Sequence, residues 1–325
     1  MYKFGAWFHN QDDLALPEQI KSGHQYGIRS IRSYAIDYAE TIATVLRELG
    51  MSLYAGMHID AINLLKDWRL EVRLEELRKN HQLGVPLEAI CVGNELREFG
   101  DDPDKKCFTA RVSCGLANIL AAYRRWLDAN GYNTPLTYAM EGIVLDSDGS
   151  FFEHLRPLID ACDIVSLNLY PMGRSAWHGS GQFEESKAFL RDAKVRRNRL
   201  LRFEVQLRGV LESLAEMGKP LILSETGFPS AVSYEKDAHG SIAPISDNES
   251  FGAAMEELFD VIEKADADHG HPIKAIYFYE WRDNLHHAKI TNIEQSPIHC
   301  AFGLCDRFGV PKFGIGGMLS KQRPA

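Results

Sequence analysis

Along the 325-residue chain, short apolar runs alternate with longer stretches in which apolar and charged residues share a helical period. The apolar runs cover 3–8, 30–34, 52–58, 89–94, 136–140, 164–170, 221–225 and 275–281. Each is bounded by polar residues, Gly or Pro. None alternates strictly, which is the pattern of parallel strands covered on both faces. Helical periodicity predicts helices over 17–26, 38–49, 70–83, 109–130, 150–160, 200–217 and 249–268. Gly50, Gly84, Gly131 and Gly218 follow four of them as stop signals.

Strands and helices repeating in this order predict an α/β fold, a (β/α)8 TIM barrel, as a single domain over 1–325. The rival is an open doubly wound sheet. That architecture carries a glycine-rich phosphate turn after its first strand, whereas here the polar run from His9 to Asp13 follows. No linker, low-complexity tract or internal repeat interrupts the alternation. Two connections exceed what a barrel needs: 172–198 after strand six and 228–248 after strand seven. Loops after strands lie on the catalytic face of such a barrel.

Composition adds limits. The net charge of −9 disfavours nucleic acid, because an acidic chain repels phosphate backbones. The basic run Lys194–Arg202 goes against that trend and reads as a solvated face. No apolar stretch is long enough to span a membrane. Six cysteines show no CxxC or zinc spacing, and Cys91 and Cys162 fall in or beside core-like runs. Unpatterned cysteines, with an apolar strand almost at the start of the chain and no leader-like segment before it, predict a cytoplasmic protein.

The polar residues at the strand ends carry the candidate chemistry. They are His9, Arg32 and Tyr34, His58 and Asp60, Asn94 and Glu95, Glu141, Asn168 and Tyr170, Glu225, and Glu280 to Arg282. Glu95 and Glu225 stand out, because each terminates an apolar strand and a buried carboxylate is costly unless paired or used. Ends of strands four and seven can face each other across a barrel mouth. Two facing carboxylates are the apparatus of glycoside hydrolysis: one protonates the leaving oxygen, and the other attacks the anomeric carbon or activates water. The bland reading is that each pairs with an arginine such as Arg32 or Arg282. Arg32 and Tyr34 share a strand face and are expected to line the mouth, with Arg32 orienting Glu225. Trp281 is expected to stack on a sugar face, and Glu141 and His58 to bind sugar hydroxyls.

The segments around these residues resemble a known family. Val92-Gly93-Asn94-Glu95 is similar to the acid/base segment of clan A glycoside hydrolases. Ser224-Glu225-Thr226-Gly227-Phe228-Pro229-Ser230 resembles the nucleophile segment of glycoside hydrolase family 17, the β-1,3-glucanase family, where Phe228 stands in a position commonly held by Trp. Arg32-Ser33-Tyr34, Asn168-Leu169-Tyr170-Pro171, Phe302-Gly303-Leu304 and Pro311-Lys312-Phe313 match in the same order. The resemblance implies a retaining β-glycosidase with Glu225 as nucleophile and Glu95 as acid/base. Asn94 would sit on the sugar 2-hydroxyl and Tyr170 beside Glu225, with a carbohydrate substrate and no cofactor or metal. The extended segment around Trp177 and His178 departs from an open cleft and predicts exo action or a preference for short oligosaccharides.

Three other readings remain open at this point. A transglycosylase shares the covalent intermediate and passes it to a sugar acceptor. A metal-dependent sugar isomerase on the same barrel would recruit His58, Asp60, Glu95, Glu141 and Glu225. A non-catalytic carbohydrate-binding barrel would need neither glutamate.

Overall fold

The computed structural model describes residues 3–8, 16–33, 37–57, 70–95, 110–142, 145–172, 182–236, 242–284 and 297–320. Eight parallel strands close into a barrel. They are β1 (Lys3–Trp7), β2 (Ser30–Ser33), β3 (Ser52–Met57), β4 (Leu87–Asn94), β5 (Leu136–Glu141), β6 (Val165–Asn168), β7 (Leu221–Thr226) and β10 (Ile273–Phe278). Around the ring the order is β1-β10-β7-β6-β5-β4-β3-β2. This is the (β/α)8 barrel expected from the alternation.

Among the described residues, seven helices follow the predicted order, α1 (Leu16–Gln25), α2 (Asp37–Leu49), α3 (Leu70–Gln82), α4 (Ala110–Ala129), α5 (Arg156–Ala161), α7 (Ala193–Met217) and α8 (Asn248–Asp268), whereas α6 (Gln182–Arg191) lies inside the segment 172–198, where the sequence predicts a loop. A short α9 (Ile315–Ser320) closes the described chain. The 150–160 helix is divided, a 3₁₀ turn at Glu153–Leu155 leading into α5, whose first turn carries Pro157.

Two layers of core explain why the strands read as unbroken apolar runs. Outward-facing residues such as Phe4, Leu53, Val92, Met140 and Leu223 pack under the helices. Inward-facing Tyr54, Cys91, Ala139, Ile222 and Tyr277 fill the barrel. The barrel centre is tight: a Cβ on Gly5 would run into the Tyr277 ring, whose hydroxyl meets Ser30 Oγ at 2.7 Å. Burial pushes the Cys91 thiol up and Cys162 up to about 12, so both behave as core.

Both long connections differ from a bare loop. Residues 228–248 contain an antiparallel hairpin, β8 (Ala231–Lys236) with β9 (Ile242–Ser246). It is fixed to α6 by Ser186 Oγ donating to Ala231 O at 2.6 Å and by Phe183 against Tyr234. After strand six, α7 starts at Ala193 rather than 200. Asp192 caps it, accepting from the amides of Lys194 and Val195 at 2.8 and 3.2 Å. The basic run therefore lies on the first turns of α7. Cations there oppose the helix dipole, and ion pairs offset this, Arg196 with Glu257 at 2.9 Å and Arg199 with Glu185 at 2.7 Å. Trp177 and His178 lie outside the described residues. Among the described residues, no helix is long and apolar enough to cross a membrane.

Candidate active site

Strict alternation would point Glu225 out of the barrel, alongside Leu221 and Leu223 in the outer core. The register shows why it points in. Leu167 of β6 pairs with Leu223, but the next residue, Asn168, pairs with Glu225, so β7 holds one extra residue, Ser224. The same step appears against β10, where Ile276 pairs with Leu223 and Phe278 with Thr226. β4 does likewise: Cys91 pairs with Thr137, and Asn94 with Ala139. Gly93 takes φ +101° and Glu95 φ +50° at this step. Inserted residues of this kind re-aim side chains beside functional sites: in β7 the extra residue turns Glu225 inward, and in β4 it brings Asn94 level with inward-facing Ala139, while Glu95, the next residue, joins the cluster from a left-handed backbone conformation.

One hydrogen-bonded cluster joins the two carboxylates. Arg32 Nη1 meets Glu225 Oε1 at 3.0 Å. The same guanidinium donates to Asn94 Oδ1 at 2.7 Å, to Asn168 Oδ1 at 3.2 Å and to the Ser224 carbonyl. Tyr170 Oη donates to Glu225 Oε2 at 2.7 Å. Asn168 Nδ2 donates to Glu95 Oε1 at 2.7 Å and to Asn94 Oδ1 at 3.0 Å, while Ser224 Oγ donates to Asn168 Oδ1 at 2.7 Å. A single amide, Asn168, thus touches Glu95 directly and Glu225 through Arg32. Trp7 and Tyr54 sandwich the Arg32 guanidinium, with ring centroids 4.8 and 5.3 Å from Cζ.

The cluster brings together Arg32, Asn94, Glu95, Tyr170 and Glu225. Glu141, half-buried, ends β5 in register with Asn168. Arg32 departs from its expected place on the substrate: its side chain is only 1% exposed, covered by the two rings, and it holds Glu225 and Asn94 from below. Tyr34 and His58 lie outside the described residues, as do His9 and Asp60.

Trp281 is corrected. It is buried in the layer between barrel and helices, stacked on Phe8 at 5.9 Å and against Tyr26 at 6.0 Å, and offers no face to a sugar. β10 stops at Phe278, so the two-residue alternation does not extend to 281. Besides Tyr170, an aromatic at the mouth among the described residues is Tyr279, which packs edge-on against Trp7 and Phe302. Burial, then the charges of Glu280, Glu225 and Glu95, hold its phenol well above its ordinary pKa, so the hydroxyl stays protonated among those carboxylates. Phe228 is also core, packed between Phe189 and Phe251.

Among the described residues, no group of three or more His, Cys, Asp or Glu side chains is placed to hold a metal ion. What the mouth does offer is an ion-paired carboxylate and a second carboxylate on an amide, linked through one rigid network. That pairing can divide nucleophilic and proton-transfer work between two groups.

By sequence, the chain matches no family model and none of the curated proteins. By structure it resembles an endo-laminarinase from Formosa Hel1_33_131, with a TM-score of 0.65 and 17% identity over 98% of this chain and 87% of that one. It also resembles a β-glucuronidase from Ruminococcus gnavus, with a TM-score of 0.64 and 13% identity. That match covers 99% of this chain, which spans about half (49%) of the glucuronidase. At these identities the likeness shows the barrel fold.

Proposed function

We propose that the chain is a retaining β-glycosidase of the family 17 kind, with residues 1–325 acting as one catalytic barrel. Glu225 is the nucleophile and Glu95 the acid/base. The observation that carries this reading is the cluster itself: carboxylates at the ends of β4 and β7 meet the two ends of one Arg32–Asn168 network. The sequence segments around both glutamates favour the same roles, and the two solved structures named above are glycosidases on this fold.

In the first step a Glu225 oxygen attacks the anomeric carbon and forms a glycosyl ester. The glycosidic C–O bond breaks, and Glu95 gives its proton to the departing oxygen. In the second step Glu95 takes a proton from water, whose oxygen attacks the same carbon and releases Glu225. Two inversions give net retention. Arg32 and Tyr170 fix the nucleophile's orientation from opposite oxygens, which keeps the attacking geometry prepaid in the fold. Asn94, held by Arg32, would meet the sugar 2-hydroxyl.

β-1,3-linked gluco-oligosaccharides are the substrate class we favour. The Ser224–Ser230 segment points to them, as does the endo-laminarinase likeness. A cytoplasmic enzyme would meet short fragments rather than polymer, so exo or short-oligosaccharide action goes with this reading.

The test is a set of laminari-oligosaccharides of defined length, with wild type beside Glu225→Ala and products resolved by size. The anomer formed first is read by NMR. Cleavage by wild type alone, with the β-anomer appearing first, is expected. An α-anomer first, or equal turnover by Glu225→Ala, would overturn the assignment. Products longer than the substrate would identify transfer to sugar in place of water.

A further inference from the structure

A second concave site lies away from the carboxylate cluster and shares none of its residues. It is a cavity of about 270 Å³ between the β8–β9 hairpin and the turn after Cys305. Glu235, Ser246 and Asn248 line one side, and Asp283, Asp306 and Phe308 the other. The volume is near the lower end of ligand pockets, about 300–1,000 Å³, and suits one or two sugar rings.

Phe308 is the informative residue. It is 69% exposed, although burying such a ring would stabilise the fold by about 1.5–3 kcal/mol. It is also firmly held. Asp306 Oδ1 accepts from the amides of Phe308 and Val310 at 2.8 and 3.0 Å, and Asp306 N donates to Val310 O at 2.9 Å. Gly309, at φ +81°, closes the turn. The Arg307 guanidinium lies 4.6 Å from the centre of the ring. An apolar ring fixed in water at the rim of a cavity is a ready platform for the C–H face of a sugar, with one side chain to order and little entropy to lose.

The rest of the lining supplies hydrogen-bond acceptors. Glu235 and Asp306 are carboxylates, and Asn248 Oδ1 is buried and accepts no hydrogen bond among the described residues. Asp283 is neutralised by Lys312 at 2.7 Å. With Arg307 as the one lining cation among the described residues, the lining charges sum to a net negative value, which disfavours phosphates and uronates. Acceptors around an aromatic ring, without excess positive charge, match a neutral polyol whose hydroxyls donate. We propose that this cavity is a second binding site for neutral sugar rings, separate from the catalytic mouth.

A strap joins the two places. Residues 302–305 run beside 280–283, with Leu304 N donating to Glu280 O at 2.9 Å, Cys305 N to Trp281 O at 2.8 Å and Asp283 N to Cys305 O at 3.0 Å. One end of the strap carries Phe302 against Tyr170 and Tyr279, and the other leads into the Phe308 turn. The second site therefore sits on the catalytic face, where it can hold a further part of a glycan engaged at the mouth. Only the choice of a β-1,3-glucan as lead probe rests on the catalytic reading.

The test is electrophoresis through native gels containing laminarin, hydroxyethylcellulose, galactomannan or polygalacturonate. The Glu225→Ala protein is compared with the same protein also carrying Phe308→Ala or Asn248→Ala. In parallel, turnover of 4-nitrophenyl β-glucoside, which fills only the mouth, is measured for Phe308→Ala alone. Retardation by a neutral polysaccharide is expected, with affinity falling about tenfold in Phe308→Ala and glucoside turnover within about twofold of wild type. Phe308-dependent retardation with no cleavage of any laminari-oligosaccharide by the wild type would sink the catalytic reading and leave this one standing. Retardation unchanged by Phe308→Ala, retardation by polygalacturonate alone, or none by any neutral polysaccharide would overturn it. So would self-association of the parent, lost in Phe308→Ala, in place of glycan binding.

Discussion

Arg32 and Glu225 form an ion pair 3.0 Å long between side chains that are 1% and 6% exposed. At that depth the pair is a constraint on geometry more than a source of stability. Desolvating both charges offsets most of their attraction, yet removing one alone leaves the other stranded at about 3–5 kcal/mol. The planar guanidinium matters as much as its charge, because it also reaches Asn94, Asn168 and the Ser224 carbonyl while stacked between Trp7 and Tyr54.

Arg32→Lys should therefore act as a severe substitution. An ammonium keeps the charge but cannot fork to four acceptors or stack between two rings. We expect kcat to fall about 10²-fold or more with KM little changed, because Arg32 is buried and, on the proposed mechanism, would act through Glu225. Steady-state kinetics on a laminari-oligosaccharide decides this. A rise in KM at constant kcat would mean that Arg32 binds substrate directly.

Tyr170→Phe removes one hydrogen bond from Glu225 Oε2 and leaves the Arg32 contact to Oε1 intact. The edge-on packing of the ring on Phe302 is retained. A charge-assisted hydrogen bond contributes about 1.5–3 kcal/mol, so kcat/KM should drop about ten- to a hundredfold. The melting temperature should stay nearly constant, as followed by circular dichroism. A large loss of stability with normal kinetics would make Tyr170 a packing residue.

Asn168→Asp tests the bridge between the carboxylates. The amide donates to Glu95 and Asn94 and accepts from Arg32 and Ser224. An aspartate cannot donate to Glu95 and sets like charges against each other. Activity should fall more than in Asn168→Ala, where the donor is lost but no repulsion is added. Equal losses in the two variants would show that the hydrogen bond to Glu95 carries no catalytic weight.

The barrel was legible because strands buried on both faces leave unbroken apolar runs, and glycine stops frame the helices between them. Both glutamates were legible as charges at the ends of such runs. Their inward aim was not: for Glu225 it depends on one extra residue in β7, and Glu95 follows the extra residue of β4 in a left-handed backbone conformation, which register and dihedral angles reveal and composition does not. Trp281 was misplaced for a related reason, since alternation identifies a face only while the strand lasts and β10 ends at Phe278. The β8–β9 hairpin was hidden because its exposed residues, Tyr234 and Ile245, and Pro244 within β9 blur the two-residue pattern. The bridging part played by Asn168 needed side-chain directions from three strands at once.

Gly5→Ala probes the barrel interior away from the mouth. A methyl group there meets the Tyr277 ring and lies 3.1 Å from the Ser30 carbonyl. Tyr277 cannot retreat freely, because its hydroxyl is hydrogen-bonded to Ser30 inside the packed centre. Overpacking of this kind costs about 1–3 kcal/mol, so the urea midpoint should fall while the m-value stays the same. An unchanged midpoint would mean that the ring moves aside without loss.

Asp283 predicts a pH dependence of stability. Burial raises its pKa to about 6, against the opposing pull of Lys312. Its native pKa thus lies above the unfolded value, so between about pH 4 and pH 6 the native state binds the proton more tightly than the unfolded chain. The contribution of this group is fully present below the unfolded pKa and is lost as pH rises through about 6. Asp283→Asn keeps the size of the side chain and removes the titration. The stability of wild type relative to Asp283→Asn should accordingly decline from pH 4 to pH 7, measured by urea unfolding at each pH. A difference that grows with pH over this window would show that the pairing with Lys312 outweighs burial, and that Asp283 is ionised at little cost in the native protein.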